Sequence, residues 1–548
     1  MNILFSKTDA FGDALLATGF CRHIIQSTGC TRFFWLIRGG YESIATLWNG
    51  SLVISPSCEL SPRQAARETL KQLATHTVGR APIFIPTDMD PYKPWPHDRD
   101  FAATLAWWGD FVRELNPSLA IAGTRTLNWV DWYLTLASGA RRRVALHPGV
   151  PNQEVDPAIT TLLDKRGCRR NFTILAETPP DLHEVDCYHA LCRALGLADG
   201  VLSVHPDIST ASLPPDWSIS GAVILSPGAG DLRRCWPAQG FAAVARRLID
   251  GHGIAPERIL VLAGPADAAV AAHLGKCLQA EGVRAKILQS GPCELPRLAK
   301  LLSKATLVLS NEAFVVHLAA AVNAPTVAIW GGGHWGRFNP RQGHVTVVHQ
   351  PLPCYRCDWN CIFSECRCIT GVSAEVVSAA VTDRLKKPHA PVNYVVAPPT
   401  VTTEEILARF HKLHHELTAV RRRADGLENW LKSEIAAKEL ALTRVEAAES
   451  EKAKAQQWAR DEQAARSRAE FHTAEERRAK ESALEWAHAA ESEKAKAQQW
   501  ARDEQAINRR REEELERLSA WIQVRSTLWG AFSHFLAVMF RRRGRNER

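Results

Sequence analysis

The chain has 548 residues, 46% of them hydrophobic, and a formal net charge of +8, too much chain for one ordinary core, so two or three folded units are expected. Its basic residues are dispersed, with one tight cluster at Arg541, Arg542, Arg543 and Arg545; a nucleic-acid partner is not expected, and an acidic substrate or a membrane surface fits better. The opening Met1–Lys7 lacks the basic and long apolar regions of an export signal, and no apolar run reaches the roughly 18 to 20 residues that span a bilayer, so a cytoplasmic location without a transmembrane anchor is expected.

Residues Asn2 to Ser6 form a short apolar run, followed by the loop Lys7-Thr-Asp-Ala-Phe-Gly-Asp13 and a helical pattern through Leu15, Leu16, Phe20 and Ile24. Similar alternation recurs at Phe33 to Ile37, Ser51 to Ile54, Ala81 to Ile85 and Arg143 to Leu146, which predicts an α/β domain over 1–205. A second, over 206–386, is predicted from the β-rich runs Ala222 to Ser226, Ile259 to Ala263, Ala285 to Leu288, Thr306 to Ser310 and Pro325 to Ile329, each separated by a helix-length segment. Continuously apolar strands imply parallel sheets covered on both faces, with ligands at the strand-end loops.

Residues 387–403, rich in Pro, Val and Thr, are expected as a linker. Beyond it, Ile406, Phe410, Leu413, Leu417, Val420, Ala424, Leu427 and Leu431 repeat in steps of four and three, the spacing of a coiled-coil seam. Ala447 to Ala464 recurs unchanged at Ala489 to Ala506, so 404–524 is expected to be one long helix, either a coiled coil joining copies of the chain or a single solvated helix. The tail, 525–548, joins an aromatic apolar segment to the Arg cluster. It reads either as an anchor on the inner face of the membrane or as the last helix of an oligomeric core.

Three loops at predicted strand ends carry groups suited to one ligand. The first offers Asp9 and Asp13, with Gly12 allowing close backbone approach; Asp13 can equally be a helix cap. The second, Pro227-Gly228-Ala229-Gly230 with Arg233 and Arg234, has glycines whose amides can face a phosphate and arginines to neutralise it, or is an ordinary strand-to-helix turn. The third, Asn311-Glu312-Ala313 with His317, opens another helix whose histidine can be a donor-pocket residue or a buried core residue. Gly331, Gly332, Gly333, His334 and Arg337 end the next strand at the same edge. Five cysteines, Cys354, Cys357, Cys361, Cys366 and Cys368, have metal-ligand spacing suited to a structural zinc or iron, the alternative being reduced or redox-active thiols.

Over about residues 1 to 385 the sequence resembles glycosyltransferase family 9, the heptosyltransferases. The carrying motifs are Lys7-Thr-x-x-x-Gly-Asp13, Pro-Gly-Ala with downstream Arg-x-Trp-Pro, His183-Glu-Val-Asp, and Asn311-Glu-x-x-x-x-His317-Leu-Ala-Ala-Ala. The resemblance implies a GT-B fold, two Rossmann-like domains facing across a cleft, with the acceptor on the first and a nucleoside diphosphate sugar on the second. It implies an inverting transfer of a heptose-like sugar, of the ADP-heptose type, to lipopolysaccharide or another surface glycan, with no cofactor required. Asp13 becomes the candidate base that deprotonates the acceptor hydroxyl. Arg234 would stabilise the departing diphosphate, and Gly12, Gly228, Ala229, Gly230, Asn311, Glu312, Ala313 and His317 would line the donor pocket. Where the family usually has Asp-Thr/Ser-Gly, Glu312-Ala313-Phe314 stands here; Gly331, Gly332, Gly333 and His334 are the expected substitutes for the phosphate contacts. Some relatives hold iron through cysteines in this part of the chain. Two other readings stay open: a protein glycosyltransferase of the autotransporter-modifying type, with a polypeptide rather than lipid-linked acceptor, and a degenerate transferase serving as a scaffold on a coiled coil.

Overall fold

The computed structural model describes residues 1–74, 81–90, 100–124, 129–147, 172–179, 182–215, 217–291, 294–463, 480–482 and 484. The second repeat copy, Ala489 to Ala506, and the tail 525–548 with its Arg cluster lie outside the described residues. The chain divides into two compact units, Met1–Thr400 and Val401–Arg548.

The first unit holds two parallel sheets. In the front sheet, β1 (Asn2–Lys7), β2 (Arg32–Arg38), β3 (Leu52–Val53), β4 (Ile83–Thr87), β5 (Leu119–Ala122), β6 (Arg142–His147) and β7 (Ile174–Glu177) run in the order β3-β4-β2-β1-β5-β6-β7. In the rear sheet, β8 (Val223–Ser226), β9 (Ile259–Ala263), β10 (Lys286–Gln289), β11 (Leu307–Asn311), β12 (Thr326–Trp330), β13 (Val345–His349) and β14 (Asn393–Val396) run in the order β10-β9-β8-β11-β12-β13-β14. This is the GT-B plan. Each sheet winds outward in both directions from its first strand, so crevices open beyond β1/β5 and β8/β11, where doubly wound sheets take ligands. Central strands such as β8, β9 and β11 are buried at every residue, which explains their unbroken apolar sequence.

Sequence periodicity missed β5, β7, β13 and β14. The last lies inside the segment expected as a linker: Asn393–Val396 pairs with β13 as an edge strand. Arg384, 1% exposed, holds it there, donating from Nε to Thr346 Oγ1 at 3.0 Å and from Nη2 to Asn393 Oδ1 at 2.7 Å.

One apolar cluster takes residues from both halves, among them Phe20 and Tyr188 from the front and Leu302 and Leu318 from the rear. The helix Phe11–Thr28 crosses the segment after Gly200 so closely that a Cβ on Gly19 would come within 2.6 Å of the Leu202 carbonyl carbon.

The second unit begins with the helix Thr403–Gln463. A capping box starts it: Thr402 N–H donates to Glu405 at 2.8 Å and Glu405 N–H to Thr402 Oγ1 at 3.2 Å. Along the predicted seam Ile406 and Leu417 are buried, whereas Leu427 and Trp430 are exposed in this single chain. No helix among the described residues is long and apolar enough to cross a membrane.

Gly343 lies tightly against the last turn of the helix Phe314–Ala321. Its φ is +79°, and an added Cβ would stand 2.5 Å from the Ala320 carbonyl oxygen. Gly343→Ala is therefore expected to lower unfolding free energy by about 2 kcal/mol. Gly12→Ala, with nothing within 4 Å of the new methyl, should leave stability unchanged or slightly raised, both read by chemical denaturation.

Candidate active site

The site is built on a chain of buried charges. Lys7, at the end of β1, is fully buried, and its ammonium donates to Asp9 Oδ2 at 2.9 Å and Glu184 Oε1 at 2.8 Å. Glu184 opens the helix Glu184–Ala194, where its charge favours the helix dipole. Its other oxygen accepts from Arg337 Nε and Nη2, each at 3.3 Å. Backbone stitches reinforce this bridge between front and rear: Glu184 N–H donates to Arg337 O at 2.9 Å, and His183 Nε2 meets Asn339 O at 2.8 Å. His183 Nδ1 accepts from Val185 N–H at 3.2 Å, so the ring is the neutral Nε2–H tautomer, in keeping with a pKa that burial lowers.

Asp13 lies in the first turn of the helix Phe11–Thr28 and caps nothing. Its Oδ1 is buried without a hydrogen-bond partner. Asp9, Asp13 and Glu184 bring one oxygen each within 4.8 Å of one another, a set a cation could join, but Lys7 and Arg337 already supply positive charge there. Burial, with Glu184 and Asp9 pushing the same way against Lys7 and Arg337, raises Asp13 to about 7. Burial alone would lower Lys7, yet Asp9 and Glu184 hold its pKa well above the ordinary value. Arg337 is likewise raised, against burial, by Glu184, Asp13 and Asp9. Below this group Asp131, which the sequence reading did not single out, accepts from Ser6 Oγ at 2.6 Å, Thr8 N at 3.1 Å and the Thr124 hydroxyl, and so braces the loop after β1. Burial, with the Asp9 charge, raises its pKa to about 6.

The rear loops interlock in turn. Asn311 ends β11 with both ends of its amide engaged: Nδ2 donates to Pro227 O at 2.6 Å and Oδ1 accepts from Trp236 N–H at 3.0 Å. It therefore sets the loop Gly228, Ala229, Gly230 between β8 and the helix Ala238–His252. Gly228 is closely covered, an added Cβ meeting the Asp267 carboxylate at 2.2 Å, whereas Gly230 is open. Glu312 is 4% exposed and accepts from Gly331 N–H at 3.1 Å. Burial raises it to about 8, against the pull of Arg234 and that N–H. The Arg234 guanidinium lies 5.0 Å from the Trp359 ring centre, and its Nε is buried without a partner.

The glycine triplet is occupied by its own chain. Cβ atoms on Gly331, Gly332 and Gly333 would fall 2.4, 2.1 and 2.4 Å from the rings of Trp359, Tyr355 and Trp359. Gly332 N–H donates to Cys368 Sγ at 3.4 Å. These glycines seat the cysteine segment, and two of their three amides are engaged internally. His334 is held by the same segment, Nε2 against Asp358 Oδ1 at 2.6 Å and Nδ1 accepting from Trp359 Nε1 at 3.2 Å. Its pKa is lowered by burial, against Asp358.

Phe314, on the helix after Ala313, packs edge-to-face on Phe11 with ring centres 4.7 Å apart, and Phe11 does the same on Tyr41 at 5.2 Å. His317, one turn further, borders a cavity of about 330 Å³ that also touches Leu16, His183 and Arg341. Burial, with His183 nearby, lowers its pKa to about 4, so it is a neutral ring.

Cys354, Cys357, Cys366 and Cys368 are buried free thiols and Cys361 is half-buried. A hydrogen bond from Cys366 lowers Cys361 to about 7, while burial raises Cys357 and Cys368 to about 12. Among the described residues, no three thiols stand within the mutual 4.8 Å that the carboxylates reach.

Residues 177–364 match the family described as glycosyltransferase family 9 (heptosyltransferase). A lipooligosaccharide heptosyltransferase 2 of Campylobacter jejuni is 24% identical over 214 residues, covering 37% of this chain and 65% of the relative's length. Among solved structures, an ADP-heptose lipopolysaccharide heptosyltransferase II of E. coli aligns with a TM-score of 0.48 at 15% identity, over 71% of this chain and 100% of its own. A family 9 glycosyltransferase of Veillonella parvula aligns with a TM-score of 0.46 at 16% identity, over 70% of this chain and 97% of its own.

Glu312 gives the site a pH signature. Its pKa stands about 8 in the folded chain against an ordinary glutamate value of 4.5, so the folded state holds the proton more tightly; this stabilisation is full below pH 4.5 and is lost as pH rises toward 8. Glu312→Gln should flatten the decline in thermal midpoint over that interval, and an unchanged slope would refute the assignment.

Proposed function

We propose that this chain, which resembles glycosyltransferase family 9 and matches that family over residues 177–364, is an inverting glycosyltransferase. In this reading it moves a heptose-like sugar from a nucleoside diphosphate, of the ADP-heptose type, to lipopolysaccharide or another surface glycan. The observation that carries the proposal is Asp13: a carboxylate with a buried, unpartnered oxygen, in a network that ties the loop after β1 to the loop after β12.

A base must lack its own proton yet want another's. With a pKa of about 7, Asp13 is balanced between the two states near neutral pH, which suits general-base work. Ionised, it takes the proton of the acceptor hydroxyl as that oxygen attacks the anomeric carbon and the bond to the diphosphate breaks. Arg234 faces the growing negative charge on the leaving group, as a preorganised cation should. Asn311 acts earlier, by fixing the β8 loop on which Arg234 stands.

A protein acceptor, as in autotransporter-modifying transferases, uses the same chemistry. The scaffold reading is favoured by two particulars: Phe314 in place of a glycine, and the internal engagement of the Gly331 and Gly332 amides. Thermal shift with ADP, GDP, UDP and dTDP sugars separates it, since a chain stabilised by none of them is a scaffold.

We also propose a cytoplasmic location, self-association through the long helix and contact of the basic tail with the inner membrane face. The cysteines, soft ligands partly buried, suit a structural zinc or iron that would draw them together and brace their loop. Metal analysis of the purified protein should find one ion per chain; none would refute it.

Asp13→Asn should lower sugar transfer by about 10²- to 10⁴-fold while the affinity for the nucleoside diphosphate changes little. In the parent protein, turnover should rise with pH through about 7, because the ionised carboxylate is the working form. Transfer undiminished in the variant removes Asp13 from the reaction.

A further inference from the structure

The cysteine segment and the candidate diphosphate loops meet around Trp359. Trp359 is 3% exposed; its indole covers Gly331 and Gly333, donates to His334 at 3.2 Å and lies under the Arg234 guanidinium at 5.0 Å. Its carbonyl accepts from Arg233 Nη1 at 2.6 Å. Both arginines of the β8 loop are thus held by one residue more than a hundred positions away in sequence.

The backbone at Trp359 is costly. Arg356, Asp358 and Trp359 have φ of 65°, 48° and 60°, left-handed conformations that side chains disfavour. Such a run persists only where its surroundings fix it. Here Arg356 N–H donates to Gly332 O at 2.6 Å and Asp358 N–H to Gly333 O at 3.1 Å, and the neighbouring Cys354 and Cys357 are themselves buried.

We propose that Trp359 is a positioning residue for donor binding: its indole face holds the Arg234 guanidinium in the orientation that meets the diphosphate. The cysteine segment is then a wall of the donor site rather than a remote structural insert. The glycine triplet is there to admit that wall. Arg234 keeps its Nε unpartnered, because a π face restrains a cation without consuming its hydrogen-bond donors. This rests on Arg234 meeting the diphosphate, as in the proposed function.

The test is ADP affinity by calorimetry on the full chain, for Trp359→Leu, Trp359→Phe, Arg234→Ala and the Trp359→Leu/Arg234→Ala double variant. Trp359→Leu is expected to weaken ADP binding about tenfold, and Trp359→Phe, which keeps a π face, to recover most of that. The double variant should bind no worse than Arg234→Ala, since the indole acts through the arginine. Parent-like affinity in Trp359→Leu, or additive losses in the double variant, overturns the proposal. If Arg234→Ala itself binds ADP like the parent, the diphosphate role of Arg234 is what fails. Should Trp359→Leu not fold, the same cycle is run with Trp359→Met, which fills much of the indole's place without a π face.

Discussion

Glu184 carries its charge where solvent does not reach, and the candidate site depends on how that charge is met. A buried carboxylate is tolerated only when cations and donors surround it. Here one cation comes from the end of β1 and the other from the loop after β12, so satisfying Glu184 requires front and rear loops to be in place together. The helix Glu184–Ala194 is the pin through both. Removing either cation would leave the charge unpaired, a loss usually larger than the pair's own net contribution. Asp13 inherits its properties from this arrangement: two cations stand beside Asp9 and Glu184, and a third carboxylate with no donor of its own keeps its proton until about neutral pH.

The rear half follows a similar rule with amides in place of charges. Asn311 joins the loop after β8 to the start of the next helix; Glu312 turns inward to Gly331 N–H; the triplet Gly331–Gly333 seats Trp359 and Tyr355. These polar groups are consumed by the neighbouring loops, while Arg234 keeps its buried Nε without a partner. Polar saturation around a residue is one way a fold leaves that residue available while holding it still.

The sheets were legible in sequence where strands are buried on both faces, because β8, β9, β11 and β12 read as unbroken apolar runs. Strand β14 was not: Asn393–Val396 alternates half-buried with exposed and sits among prolines, which mimics a linker, and its place comes from pairing with β13 and from the buried Arg384. Asp13, Asn311 and Glu312 stood out through their position after strands. Lys7, Glu184 and Arg337 were visible as parts of motifs, but their mutual pairing spans 177 and 153 residues, a relation no local pattern encodes. Glycines 331–333 were read as room for a phosphate. Room for a tryptophan leaves the same trace in sequence, and only the position of Trp359 separates the two.

The departure at Glu312-Ala313-Phe314 looks different once side chains and backbone are considered separately. Glu312 points inward to Gly331 and Phe314 packs on Phe11, so both bulky groups are occupied away from the first-turn amides of the helix Phe314–Ala321. No side chain caps that helix, and none caps the helices Phe11–Thr28 and Ala238–His252, which also begin at this edge. Other helices differ among themselves: Asp100, Ser373 and Thr402 cap theirs, whereas Ala268–Ala280 and Leu295–Ser303 also lack a side-chain cap. Phe11–Thr28 carries Asp13 in its first turn, but Phe314–Ala321 and Ala238–His252 have no acidic residue there, and a helix N-terminus without an anion of its own is suited to receive one from outside. Replacing a glycine by phenylalanine therefore changes what flanks the amides, and ties them to the front lobe through Phe11, while the amides themselves, being backbone, are kept.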